Sequence, residues 1–175
     1  MLAGPGLFPK LEAAGTIRTV AIDAAPSLRI STIGFTYWLL FHGATREIRI
    51  ITPYFVPDPR MQLGLSSAAR RGVRVVMLVP GPHSDSPLVA AASRTYYREL
   101  LDAGVQIHEY QPTMIHVKSV TVDGHWAIVG SPNFDARSVS LNYEQALVAC
   151  DESFADVLNK AFDDDWSRAR RVPVR

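Results

Sequence analysis

A single cysteine, Cys150, stands in 175 residues. That excludes an internal disulfide and any cysteine-built metal site, and at the end of an apolar run Cys150 is expected as a buried small hydrophobe. Long apolar runs are missing too. A membrane-crossing helix takes roughly 18 apolar residues, and the nearest stretch, residues 30–41, is shorter and interrupted by Ser31, Thr32, Gly34 and Thr36. The first ten residues have neither a basic start nor a long apolar core, so no signal peptide is expected. Charge of one sign is also lacking: 18 Lys and Arg oppose 17 Asp and Glu, a net charge of +1. Without an overall basic field, bulk electrostatics argue against nucleic acid as a partner. What remains is globular composition, 47% hydrophobic and 20% charged, in a length that suits one domain.

Residues 1–15, with Gly4, Pro5, Gly6 and Pro9, read as an irregular lead-in, and residues 16–170 as a single domain. Alternation over 16–23 predicts a strand, and Ser27 is a candidate cap for an apolar helix over 28–45. That helix packs on a sheet, or else Phe35, Trp38 and Phe41 also meet lipid at an interface. A β-branched strand over 47–51 ends at Pro53, before an exposed-looking apolar loop, Tyr54 to Pro57. Asp58 caps a helix over 59–71 that Gly72 stops. Residues 73–79 read as a central strand covered on both faces, and a turn-rich loop follows, carrying His83 and Asp85. A helix over 87–103 bears Arg94 and Arg98, a strand spans 105–110, and a last helix from Asp151 to about 169 ends in a basic tail. Strand and helix alternating to residue 110 predict an α/β fold: a mixed, largely parallel sheet flanked by helices on both faces.

Chemistry concentrates between residues 116 and 144. Val117, Val120, Thr121 and Val122 predict a strand over 116–122, whose period of two puts His116 and Lys118 on one face. Asp123-Gly124 is a tight-turn dipeptide, so residues 126–129 form the return strand. Its end delivers Gly130, Ser131 and Asn133. The set suits attack on a phosphodiester: an imidazole as nucleophile or general acid and base, Lys118 as a positive charge, and the Asn133 amide and Ser131 hydroxyl as donors to phosphate oxygens. Glu144, entering a β-like run over 143–149, is positioned to accept the other ring N–H of His116. Asp123 falls on the opposite face by the same period, which favours a structural role. No metal is required by this set.

His116-x-Lys118-x4-Asp123 followed by Gly130-Ser131-x-Asn133 resembles the HKD signature of the phospholipase D superfamily. Asn133-Phe-Asp-Ala-Arg-Ser138 continues as in its lipid-synthesising members. Ile51-Thr-Pro-Tyr-Phe-Val-Pro-Asp58 and Arg71-Gly-Val-Arg-Val are similar to the second half of bacterial cardiolipin synthases, and the likeness runs from about residue 16 to about 165. This resemblance implies a phospholipase D-like fold and a phosphatidyltransferase acting on phosphatidylglycerol through a phosphohistidine, with no cofactor. It implies His116, Lys118, Asp123, Ser131, Asn133 and Glu144 at the catalytic site, and Tyr54, Phe55 and His83 toward the substrate; Arg94 is a further substrate-side candidate by its charge alone, as a phosphate holder, against a solvated helix face.

Two-motif members of the superfamily carry a pair of such motifs around one site, whereas this chain has one. The resemblance therefore implies half an enzyme: one completed by a second copy, one completed by a separate N-terminal half, or a truncated remnant. It further implies a bacterial protein held peripherally on the cytoplasmic side of the cell membrane, with anionic phospholipid as its partner. A hydrolytic phospholipase D, a metal-independent nuclease and a non-catalytic lipid-binding half-site are the alternatives.

Overall fold

The computed structural model describes residues 12, 14–24 and 31–174. In chain order these form β1 (Thr19–Ala24), α1 (Thr32–Gly43), β2 (Glu47–Ile51), β3 (Phe55–Val56), α2 (Pro59–Arg70), β4 (Arg74–Pro80), α3 (Pro87–Asp102), β5 (Gln106–Tyr110), β6 (Ser119–Val122), β7 (Trp126–Gly130), β8 (Phe134–Asp135), α4 (Ala136–Ser140), β9 (Glu144–Cys150), α5 (Glu152–Ser167) and β10 (Ala169–Arg171). Eight strands make one sheet in the order β1-β9-β7-β6-β2-β4-β5-β10, and β3 pairs with β8 in a separate ribbon.

The sheet is not largely parallel. Only β2–β4 and β4–β5 run parallel; β2–β6, β6–β7, β7–β9, β1–β9 and β5–β10 are antiparallel. Helical crossovers link just the central strands, whereas a hairpin makes its two strands antiparallel by construction. β10 was not expected. Its Arg170 and Arg171 are poor strand formers, and edge pairing with Glu109 and His108 imposes the extended backbone.

Helices do cover both faces. On β4, Val75, Met77 and Val79 join the larger core with α1, α2 and α3, while Val76 and Leu78 join a smaller one with Phe162 of α5. This alternation is what a central strand buried on both sides requires. Caps set the helix starts. The Asp58 carboxylate accepts from Met61 N at 2.8 Å beside Pro59, and Asp135 and Asp151 cap α4 and α5 in the same way. α1 begins at Thr32, capped by Ser31; the expected cap at Ser27 lies outside the described residues. Along α1, Phe41 is buried, and Phe35 and Trp38 stack on each other at the exposed surface. Cys150 is exposed rather than buried, because it takes an outward position in the alternation of β9.

Candidate active site

The site forms where β7 ends and β9 begins. The β6–β7 turn is tight as expected, with positive φ at Asp123 (54°) and Gly124 (72°). Residues 116–118, however, precede β6 instead of belonging to it. They remain tied to the sheet through Gly130 N, which donates to the Lys118 carbonyl at 3.3 Å. Gly130 allows a close approach: a Cβ there would lie 2.3 Å from the Gln145 carbonyl oxygen. Glycine thus lets β7 deliver Ser131 directly beside Glu144.

The His116 and Lys118 side chains do come together. Lys118 Nζ sits 2.9 Å from His116 Nδ1 and 3.2 Å from its carbonyl oxygen. His116, Val117, Lys118, Val129, Gly130, Ser131 and Asn133 line one open cleft of about 550 Å³. Burial lowers the Lys118 pKa, and the charges of Glu144 and Asp85 oppose that by favouring the ammonium. The cleft therefore offers an imidazole beside a cation, together with hydroxyl and amide groups, the donor set a phosphodiester anion takes.

Glu144 is buried but does not bond His116. Its Oε2 accepts from Ser131 Oγ and its Oε1 from Asn142 Nδ2 at 3.2 Å, while Ser131 Oγ accepts from Gln145 N at 3.0 Å. The carboxylate is taken up by Ser131 at the end of β7 and by Asn142 before β9, which corrects the expected His116–Glu144 pair. Asn142, two residues before Glu144, gave no signal in the sequence. Asn133 lines the cleft with Nδ2 3.3 Å from Ser138 Oγ, and its buried Oδ1 has no hydrogen-bond partner among the described residues.

Asp123 lies at the other end of β6 from His116. Its carboxylate accepts from the backbone N–H groups of Thr45, Arg46 and Glu47 and from the Thr45 hydroxyl, all at 2.8–2.9 Å. Burial alone would raise its pKa, yet these donors outweigh burial and hold it below the ordinary carboxylate value. Tyr54 stands edge-on to His116 with ring centroids 6.0 Å apart, and its hydroxyl donates to Asp85 at 2.6 Å. That bond to a carboxylate raises the Tyr54 pKa.

Phe55 does not face an open loop. It is 1% exposed and pairs with Phe134 in the β3–β8 ribbon, so the 54–57 segment is anchored by core packing. His83 is exposed on the loop that carries Asp85. Arg94 is not brought to His116: it pairs with Glu109 at 3.1 Å and lines a groove with Arg98 and Arg170 along the β10 edge.

The family described as "Cardiolipin synthase, PLD-like domain" matches residues 39–166. Cardiolipin synthase A of Pseudomonas putida is 35% identical over 96% of this chain, and that of Klebsiella pneumoniae is 38% identical over 97%. The chain spans about a third of the length of these curated relatives, 35% and 34%. Among solved structures, the phospholipase D family member Nuc from Salmonella typhimurium superposes with a TM-score of 0.75 at 21% identity, covering 90% of this chain and 99% of Nuc. Phosphatidylserine synthase from Haemophilus influenzae does so with a TM-score of 0.72 at 16% identity, over 88% of this chain and 40% of its own. These likenesses fix the fold, and the match over residues 39–166 carries the rest: the chain belongs to the cardiolipin synthase, PLD-like domain family of the phospholipase D superfamily.

Proposed function

We propose that this chain supplies one His–Lys set of a phosphatidyltransferase that joins two phosphatidylglycerols into cardiolipin and releases glycerol. The observation that carries this reading is the cleft in which His116, Lys118, Ser131 and Asn133 converge, in a chain whose relatives are named cardiolipin synthase A. A second His–Lys set comes from another copy or a companion half. One imidazole attacks phosphorus, forming a P–N bond as the P–O bond to the glycerol headgroup breaks; the other histidine gives its proton to the departing alkoxide. The hydroxyl of a second phosphatidylglycerol then loses its proton to that histidine and attacks phosphorus, and the P–N bond breaks. Lys118 and Asn133 hold the non-bridging oxygens as charge develops on them, at a few kcal/mol per donor. His116 takes one of the two histidine roles.

The same intermediate yields phosphatidic acid if water replaces the acceptor alcohol. The exposure of His116 in an open cleft supports this hydrolytic reading as the second one. Large apolar side chains are left exposed: Val117, in the cleft wall, is 43% exposed, and Leu141 and Tyr143, in the segment leading to Glu144, are 63% and 83% exposed. Covering them with a partner subunit or a lipid surface is favourable, which supports a paired protein held peripherally on anionic membrane. No helix among the described residues is long and apolar enough to cross a membrane.

The test is product analysis after mixing the protein with phosphatidylglycerol vesicles and a chelator, with His116→Ala in parallel. Cardiolipin formed by the wild type alone is the expected result. Phosphatidic acid alone would move the assignment to hydrolysis, and equal product from both proteins would remove His116 from the reaction.

A further inference from the structure

A second chamber adjoins the catalytic cleft. It has a volume of about 620 Å³, and Asn133 belongs to the walls of both spaces. Tyr54 forms part of its wall while standing edge-on to His116, so a ligand with its phosphorus at His116 meets this chamber across one aromatic ring and one amide. The remaining wall divides by chemistry. Val56 of β3 and Leu88, Val89 and Ala92 of α3 are aliphatic; the helical positions 88, 89 and 92 share one face of α3, as spacings of three and four residues do. The polar side comes from Ser86, from Arg137 and Asn142, whose amide donates to Glu144, and from the start of α4, where Asp135 is already engaged in capping Ser138 N at 2.7 Å.

Leu88 is the telling residue. It is 82% exposed in the first turn of α3, at a chamber whose α3 wall, with Val89 and Ala92, is aliphatic. A side chain of that kind beside a site gains most from an apolar ligand that covers it. The volume lies in the range of small-molecule sites lined by apolar groups.

We infer that this chamber is an acyl subsite: it takes the fatty-acyl end of a glycerophospholipid whose phosphate occupies the cleft at His116 and Lys118. This rests on the lipid reading above and adds where the chain goes and which residues hold it. Ala92 lies deepest in function, because enlarging it narrows the chamber from the helix side, whereas Leu88 closes over the ligand from the rim.

The experiment uses two soluble probes that share one headgroup: dihexanoyl phosphatidylglycerol below its micellar concentration, and glycerophosphoglycerol, which has no acyl chain. Both are titrated by calorimetry into the wild type, Ala92→Phe, Leu88→Ser and His116→Ala. A buried methylene adds roughly fourfold in affinity, so the wild type should bind the acylated probe at least tenfold more tightly. Ala92→Phe and Leu88→Ser should cut that advantage several-fold and leave glycerophosphoglycerol unchanged. Leu88→Ser removes an exposed side chain and so keeps the fold even if Ala92→Phe disturbs it.

Equal affinity of the wild type for both probes, weakened for both by His116→Ala, would overturn the acyl subsite and leave the phosphodiester reading standing. So would an acyl advantage untouched by both α3 variants. Binding of neither probe would overturn the subsite and the lipid reading together.

Discussion

Asp123 Oδ2 accepts from both the amide and the hydroxyl of Thr45, each at 2.8 Å. The acidic residue of the His–Lys–Asp motif is therefore a fastener between the β6–β7 turn and the entry to β2, 78 residues away in sequence. Asp123→Asn should lower stability by about 1–3 kcal/mol through lost charge-assisted bonds, read as a drop in the urea midpoint. Turnover per folded molecule should stay near that of the wild type.

The same carboxylate sets an acid limit. Because its folded pKa lies below the ordinary 3.8, the unfolded chain binds the proton first. The stabilisation it gives is complete above that value and disappears as pH falls through the folded pKa. Urea midpoints measured between pH 5 and pH 2 should fall less steeply for Asp123→Asn than for the wild type.

Replacing His116 by Ala should reduce phosphodiester turnover by at least about 10²–10⁴-fold, the usual worth of a positioned acid or base. His116 is exposed, so its thermal midpoint should move little. A midpoint falling as steeply as activity would make the residue structural.

Glu144 acts on the site at a distance. Its charge raises the pKa of Lys118 against the lowering effect of burial. Glu144→Gln keeps an acceptor for Ser131 but removes that charge, so the Lys118 ammonium should lose its proton at lower pH. The alkaline limb of kcat/KM should shift downward in pH, and an unmoved limb would mean that Lys118 protonation does not govern the rate.

His108 supplies a separate readout. Its Nδ1 accepts from Trp166 Nε1 at 3.0 Å, and burial, then Arg171 and Arg74, lower its pKa below 6.5. The unfolded chain thus takes up this proton first as pH falls below 6.5. Stability should decline from there until the folded His108 also titrates. Urea midpoints at pH 7.5 and pH 5 test this, and His108→Phe should flatten that part of the curve.

Local chemistry made much of this protein legible. The helix after Asp58-Pro59 and the turn at Asp123-Gly124 follow from residues that act on their immediate neighbours, and the His116–Lys118 proximity needed only two residues of extended chain. Pairings across the sheet were less accessible. The antiparallel entry of β1, β9 and β10 depends on pairing with strands far away in the chain, which propensity and period within each strand do not report. Phe55 read as loop because its partner, Phe134, is 79 residues on, in a ribbon of two residues per strand. Glu144 was placed with His116 by span alone. Ser131 and Asn142 reach it first, and that competition is decided by side-chain geometry at the β7–β9 junction.

The β3–β8 ribbon is small, yet it joins residues 55–56 to 134–135, and Phe134 N reaches the Thr52 hydroxyl at 3.2 Å beside it. Tyr54 and Asn133 are the immediate neighbours of that ribbon. They come into proximity only when segments some eighty residues apart have closed on each other, a step that carries a large loop-closure entropy and tends to come late in folding. The cleft and its chamber thus take their shape from long-range closure and not from local structure. Without that closure the wall that Tyr54 and Asn133 complete is missing, so the shape of the cleft depends on a contact made between segments far apart in the chain.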